Sequence, residues 1–232
     1  MKTPYRAIAS IGILAFAAGA TAKGTSTRPQ AFIADGCLVV TGTPAGDHIT
    51  LRLRAGAPKV LEVDVAAPDG SMFRFNRALF DSIRIDAGAG DDIVEIDESN
   101  GIFTDTEITS IHGGSGNDTL LGGSGPETLR GGDGHDLIDG ARGDDLVDMG
   151  QGDDVFRWSP GDGSDTIDGQ GGWDEVRIFG SDDAEQIEVT SSDGEVVVEW
   201  PADAATLSLA RVEFLGLRPM GGADAVVVGA LT

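Results

Sequence analysis

The sequence predicts an all-β fold, a parallel β-roll flanked by degenerate larger β-coils or hairpins, and three observations predict it. From Gly113 to Arg157 the chain reads as five consecutive nine-residue units, GGSGNDTLL, GGSGPETLR, GGDGHDLID, GARGDDLVD and MGQGDDVFR. Two more units, PGDGSDTID from Pro160 and GQGGWDEVR from Gly169, follow the insertion Trp158-Ser159. On either side of this run apolar residues alternate with polar ones at a period of two, the period of a strand with one buried face. No stretch carries apolar residues at helical spacing.

The units share the template Gly-Gly-x-Gly-x-Asp-x-U-x, where U is a large apolar residue, and each position has a physical reason. Glycines at the first, second and fourth positions allow positive φ and close backbone approach, so the turn folds back tightly. The eighth position, Leu120, Leu129, Ile138, Val147, Phe156, Ile167 and Val176, points inward from a very short strand and makes the core. The sixth carries Asp118, Glu127, Asp136, Asp145, Asp154, Asp165 and Asp174. Carboxylates recurring at one position of a tight turn are hard oxygen ligands, and bent turns add backbone carbonyls, the donor set that Ca²⁺ takes.

On these turns the sequence resembles the repeats-in-toxin (RTX) family of calcium-binding proteins. The resemblance implies a right-handed roll whose successive turns alternate sides, with one calcium between turns two units apart. Carried over residue by residue, it pairs Asp118 with Asp136, Asp136 with Asp154 and Asp154 with Asp174 on one side. Glu127 with Asp145, and Asp145 with Asp165, form the other side, which sets a ceiling of five ions. It further implies that carbonyls of the first and third positions of the earlier turn, and of the second and fourth of the later one, complete each site. On one side these are Gly113, Ser115, Gly131, Asp133, Met149 and Gln151 in the earlier role, and Gly132, Gly134, Gly150, Gly152, Gln170 and Gly172 in the later. On the other they are Gly122, Ser124, Gly140 and Arg142, then Ala141, Gly143, Gly161 and Gly163; Gly123 and Gly125 hold the corresponding places in the Glu127 turn. Departures from the template are the longer Glu127 beside the stiff Pro126, Ala141 and Met149 in place of glycines, and the insertion, which interrupts the register between the fifth and sixth turns.

The chain is expected to divide into a signal peptide at residues 1–22, a flexible leader at 23–31, an N-terminal β flank at 32–112, the roll at 113–177 and a C-terminal capping flank at 178–232. Lys2 and Arg6 precede an apolar run from Ala7 to Ala20, and Ala20-Thr21-Ala22 supplies a small-x-small cleavage site, the pattern of a secretory leader. That run is shorter than the ~20 apolar residues a membrane span needs. Its removal leaves 210 residues and takes the net charge from −23 to −25, because the segment holds two cations and no acid. A chain this acidic excludes nucleic acid and anionic lipid as partners. The single cysteine, Cys37, permits no internal disulfide and is expected to pack as a small buried apolar residue.

In the N-terminal flank strands are expected around Leu38 and Val40, Ile49 to Leu53, Leu61 to Val65, Phe73 and Phe75, and Ile83 and Ile85, with a turn at residues 66–71. An isolated copy of the repeat, AGAGDDIVE from Ala87, puts Asp92 in the ligand position, without an obvious partner two units away. In the C-terminal flank, Ile187 to Trp200 repeats a strand, turn and strand, and Leu215 to Asp224 aligns without a gap to Ile83 to Asp92. Asp47 and Asp224 read as ordinary polar turn residues, because the glycines around them are incomplete.

Enzyme chemistry needs its own residues. The sequence has no His-Glu-x-x-His, no Gly-x-Ser-x-Gly, no Walker A loop, no Gly-x-Gly-x-x-Gly and no EF-hand loop. His48, His112 and His135 fall in or beside turns, and Tyr5, the one tyrosine, lies in the leader. The reading is a secreted, non-catalytic calcium-binding protein whose repeats fold on binding. The alternatives are a secreted β-solenoid enzyme acting on polysaccharide, through acid–base pairs on an exposed face, or a calcium-dependent surface or matrix adhesion protein; the protein or polysaccharide partner stays open.

Overall fold

A computed structural model describes residues 26–66, 71–192, 195–218 and 224–228. Its strands are β1 (Gln30–Ala34), β2 (Cys37–Thr41), β3 (His48–Arg54), β4 (Ala57–Val65), β5 (Ser71–Asn76), β6 (Ser82–Ala89), β7 (Ile93–Asp97), β8 (Ile108–Ser115), β9 (Thr119–Leu121) and β10 (Glu127–Asp133). There follow β11 (Leu137–Asp139), β12 (Leu146–Gln151), β13 (Val155–Trp158), β14 (Thr166–Asp168), β15 (Glu175–Phe179), β16 (Gln186–Ser192), β17 (Glu195–Trp200), β18 (Ala205–Ala210), β19 (Phe214–Arg218) and β20 (Ala225–Val228). Among the described residues the only helix is one 3₁₀ turn, Arg77–Leu79. The leader expected at residues 1–22 lies outside the described residues, as do most of the turn at 66–71 and residues 193 and 194 of the turn after β16.

Consecutive strands of the coil go to opposite sheets, so neighbours within a sheet are parallel without needing a helical crossover. One sheet stacks β2, β6, β8, β10, β12, β14 and β18 in parallel, and the other stacks β3, β7, β9, β11, β13, β15 and β19. The register aligns the inward residues into two columns. Val40, Ile85, Ile111, Leu129, Val147, Ile167 and Leu209 face Ile49, Val94, Leu120, Ile138, Phe156, Val176 and Leu215 across the core. The fold is thus an all-β parallel β-roll.

Antiparallel strands extend both ends. At the start β1 pairs with β2, and β4 and β5 continue the second sheet outward from β3. Gln30 and Ala31, expected in the leader, are part of β1 and pair with Thr41 and Val40. At the other end β17 and β16 extend the first sheet from β18, and β20 runs parallel to β16. The Trp158 and Trp200 rings pack with centroids 5.3 Å apart, which seats this hairpin against the roll. Leu215 and Ile83, aligned in the sequence, stand in opposite sheets, so the likeness of the two flanks does not extend to equivalent places in the coil. Cys37 opens β2 and is half-buried rather than buried.

Candidate metal centres

The coil turns at two edges, and at each the sixth-position acids form a ladder. At the first edge, where the chain passes from the β2 sheet to the β3 sheet, the N–H of each acid donates to the carboxylate of the next. Asp47 donates to Asp92 Oδ1 (2.6 Å), Asp92 to Asp118 Oδ1 (2.8 Å) and Asp118 to Asp136 Oδ1 (2.8 Å). Asp136 donates to Asp154 Oδ1 (2.7 Å), Asp154 to Asp174 Oδ1 (3.0 Å) and Asp174 to Glu213 Oε2 (2.8 Å). At the second edge Glu127 donates to Asp145 Oδ1 (2.7 Å) and Asp145 to Asp165 Oδ1 (2.9 Å).

The other oxygen of each carboxylate is what makes these turns reactive toward a cation. Oδ2 of Asp92, Asp118, Asp136, Asp145, Asp154, Asp165 and Asp174, and Oε1 of Glu127, are buried without a hydrogen-bond partner. The eight residues are at most 3% exposed. Polar atoms in that state cost several kcal/mol unless something satisfies them. Burial pushes the carboxyl groups of Asp92, Glu127, Asp136 and Asp165 up to about 7, Asp154 to about 6 and Asp145 to about 9, and raises Asp118 and Asp174 as well.

Main-chain oxygens complete the donor set. A Cβ added at Gly131 would overlap both Asp136 Oδ2 and the Met149 carbonyl oxygen, and one added at Gly132 would overlap the Gly114 carbonyl oxygen. The first, second and fourth positions therefore leave room for carbonyls where a side chain would fill the space between turns. Among the described residues no three His, Cys, Asp or Glu side chains converge as a metal cluster. One carboxylate per turn with carbonyls around it suits an oxygen-seeking ion such as Ca²⁺ and does not suit zinc, which takes nitrogen and sulfur.

The structure brings Asp118, Asp136, Asp154 and Asp174 together on one edge and Glu127, Asp145 and Asp165 on the other. The departures from the template are absorbed locally. Ala141 and Gln170 take φ of 60° and 69°, and their N–H groups donate to Asp139 Oδ1 and Asp168 Oδ1. Met149 turns its side chain into the core, fully buried. The insertion leaves the register intact: the Trp158 indole donates to the Gly163 carbonyl, Ser159 N–H donates to Asp162 Oδ2, and Asp145 still meets Asp165.

Two first-edge residues, Asp47 and Glu213, are not singled out as ligands by the sequence, and the partners of Asp92 are not visible in it. Asp92 does have partners, Asp118 after it and Asp47 before it, because the 26 residues separating Asp92 from Asp118 include a longer loop on the second edge. Glu213 closes the ladder from a turn without glycine. Asp224, aligned in the sequence with Asp92, instead accepts the Glu185 N–H (3.1 Å).

A second, outer ladder was also hidden, because its positions vary. The N–H of Asn117 donates to Asp91 Oδ1, that of His135 to Asn117 Oδ1, that of Asp153 to His135 Nδ1 and that of Trp173 to Asp153 Oδ1. What Asp91, Asn117, His135 and Asp153 share is a side-chain acceptor, a signal legible only once the turns are stacked, and Trp173, which has none, ends the ladder as a donor.

The RTX calcium-binding nonapeptide repeat matches residues 110–126, 121–156 and 161–177, in four copies. A comparison with curated proteins finds no match. The matched segments cover the turns from Gly113 to Asp174 but not those of Asp47, Asp92 and Glu213, which share the ladder without the sequence pattern. The turns stacked along both edges from Gly113 to Asp174 are RTX calcium-binding nonapeptide repeats.

Proposed function

We propose that this is a secreted calcium-binding protein whose roll assembles when calcium fills the turns, with no catalytic role of its own. The observation that carries the reading is the row of buried carboxylate oxygens without a donor, repeated at every nonapeptide turn. Stacked turns lie about 5 Å apart, and two carboxylates at that distance repel by roughly 3 kcal/mol at an effective dielectric near 20. A Ca²⁺ between them replaces repulsion by coordination. The ligands we assign are the eight carboxylates from Asp92 to Asp174 and the carbonyls of the first four positions of their turns. The flanks at 32–112 and 178–232 act as caps that cover the ends of the roll.

Strands of three residues, such as β9, β11 and β14, order few side chains against ~1 to 2 kcal/mol of backbone entropy per residue. Binding free energy then becomes folding free energy. A chain kept open where calcium is scarce and closed where it is abundant suits export, since sites of about 10⁻⁴ to 10⁻³ M fill outside the cell. No helix among the described residues is long and apolar enough to cross a membrane.

The ladder acids with raised pKa are buried within their turns, at most 3% exposed, which supports the non-catalytic reading. The shallow groove over Thr128, Arg130, Leu146 and Asp148 on the outer face includes Asp168, which is engaged by Arg211. The test is far-ultraviolet circular dichroism of residues 23–232 during a calcium titration, with magnesium as control. A cooperative gain of β signal with calcium alone is expected. A spectrum already folded in chelator and unmoved by calcium would refute assembly on binding.

A further inference from the structure

The second edge begins without a nonapeptide. Between β7 and β8 the chain makes the loop 98–107, which sits directly against the Gly122–Glu127 turn. Glu98 Oε1 holds the loop closed, accepting the N–H groups of Phe103 (2.9 Å) and Thr104 (3.1 Å) and the Thr104 hydroxyl (3.0 Å). The Thr104 hydroxyl oxygen in turn accepts the N–H groups of Ser124 (2.9 Å) and Gly125 (3.0 Å). A Cβ on Gly125 would overlap the Thr104 carbonyl oxygen, the same close approach that Gly143 makes to Gly125 one turn later. The loop thus occupies the place of a repeat turn without its sequence.

Two carboxylate oxygens are left over at this contact. Glu98 Oε2 and Glu127 Oε1 are both buried without a hydrogen-bond partner, and Glu127 is 3% exposed. In the aspartate turns one oxygen lies over the first residue of its own turn and the other accepts an N–H from the preceding turn on that edge. In Glu127 the own-turn oxygen is Oε2, which accepts the Gly123 N–H (3.0 Å) and lies over Gly122. Oε1 is the remaining oxygen, and on this edge the preceding coil is the Glu98 loop, whose carboxylate charge acts on Glu127.

We propose that Glu98, Glu127 and the Thr104 carbonyl form an additional calcium-class cation site, outside the nonapeptides, at the N-terminal end of the second edge. Its donors are two carboxylates and a carbonyl, all hard oxygens of unequal reach, which an ion of flexible coordination accepts more readily than octahedral Mg²⁺. The site does for the second edge what Asp92 does for the first: it joins the roll to the N-terminal flank. This rests on the reading that the stacked turns hold calcium.

The test counts ions bound to the full chain at saturating calcium by native mass spectrometry, in wild type and in Glu98→Gln. Glutamine keeps the Oε1 acceptor for Phe103 and Thr104 and replaces the free oxygen by an NH2 group, which donates and cannot ligate a cation. Loss of one ion, with the remaining ions retained, is expected. An unchanged count overturns the site and leaves the repeat reading standing, whereas wild type binding no calcium overturns both. An anomalous difference map from terbium-soaked crystals of the wild type gives a readout independent of the variant's folding. A peak between Glu98 and Glu127 is expected, and peaks at the nonapeptide turns with none here would overturn the inference.

Discussion

Gly134 and Gly161 are both glycines of the repeat with positive φ, at 143° and 94°, yet they carry different constraints. A Cβ at Gly134 would overlap the Gly116 carbonyl oxygen of the preceding stacked turn, whereas one at Gly161 meets nothing within 4 Å. Gly161→Ala therefore carries only the strain of a left-handed residue, about 1–2 kcal/mol. Gly134→Ala adds a backbone overlap and opens the gap between two turns. The expected outcome is a several-fold larger rise in the calcium midpoint of folding for Gly134→Ala than for Gly161→Ala, read by circular dichroism. Residues at this scale were legible as a template, but not which glycine is required for room: Gly132 and Gly161 hold the same second position, and only Gly132 lies against a carbonyl oxygen. Ala141 and Gln170 were harder, because the Asp139 and Asp168 side chains that support their left-handed conformation lie outside the turn template.

The turn, as an element, stores protons when it lacks calcium. Burial raises the carboxyl groups of Asp92, Glu127, Asp136, Asp154 and Asp165 to between about 6 and about 7, and Asp145 to about 9, from ordinary values near 4. A folded-state pKa above the unfolded one means that the folded chain binds more protons. That contribution to stability is fully present below about pH 4 and is lost as pH rises through 6 to 9. In chelator, β signal should therefore be greater at pH 5 than at pH 8. With calcium present the order reverses, because the ion needs the ionised carboxylates, and the apparent calcium midpoint should be higher at pH 5 than at pH 8. An identical midpoint at the two pH values would contradict the carboxylates as ligands. The nonapeptide turns were legible as elements because seven copies repeat one pattern. The turns of Asp47 and Glu213 were not, since stacking on a formed neighbour imposes their geometry and relieves the sequence of specifying it.

For the whole molecule, the two parallel sheets were legible from the nonapeptide period, and the strands of the flanks from their alternation. Their topology was not, because a period of two does not tell a hairpin from a coil: β3 and β4 look alike in sequence, but β3 belongs to the roll and β4 to the antiparallel extension. Continuity of the coil makes a further prediction. Acids that stack within the regular part are 18 residues apart, as Asp118 and Asp136 are, because each full coil spends one nonapeptide on each edge. Deleting residues 131–148 should leave a chain that still gains β signal with calcium, with Asp118 stacked on Asp154 and Glu127 on Asp165. Deleting 131–139 alone should abolish the transition, since β14 and β15 would each be delivered to the wrong sheet. Equal behaviour of the two deletions would contradict the alternation.

The roll therefore counts in pairs. A gain or loss of an even number of units only changes how long it is, while an odd number exchanges left for right in everything downstream, so length in this architecture varies by a rule of parity rather than residue by residue.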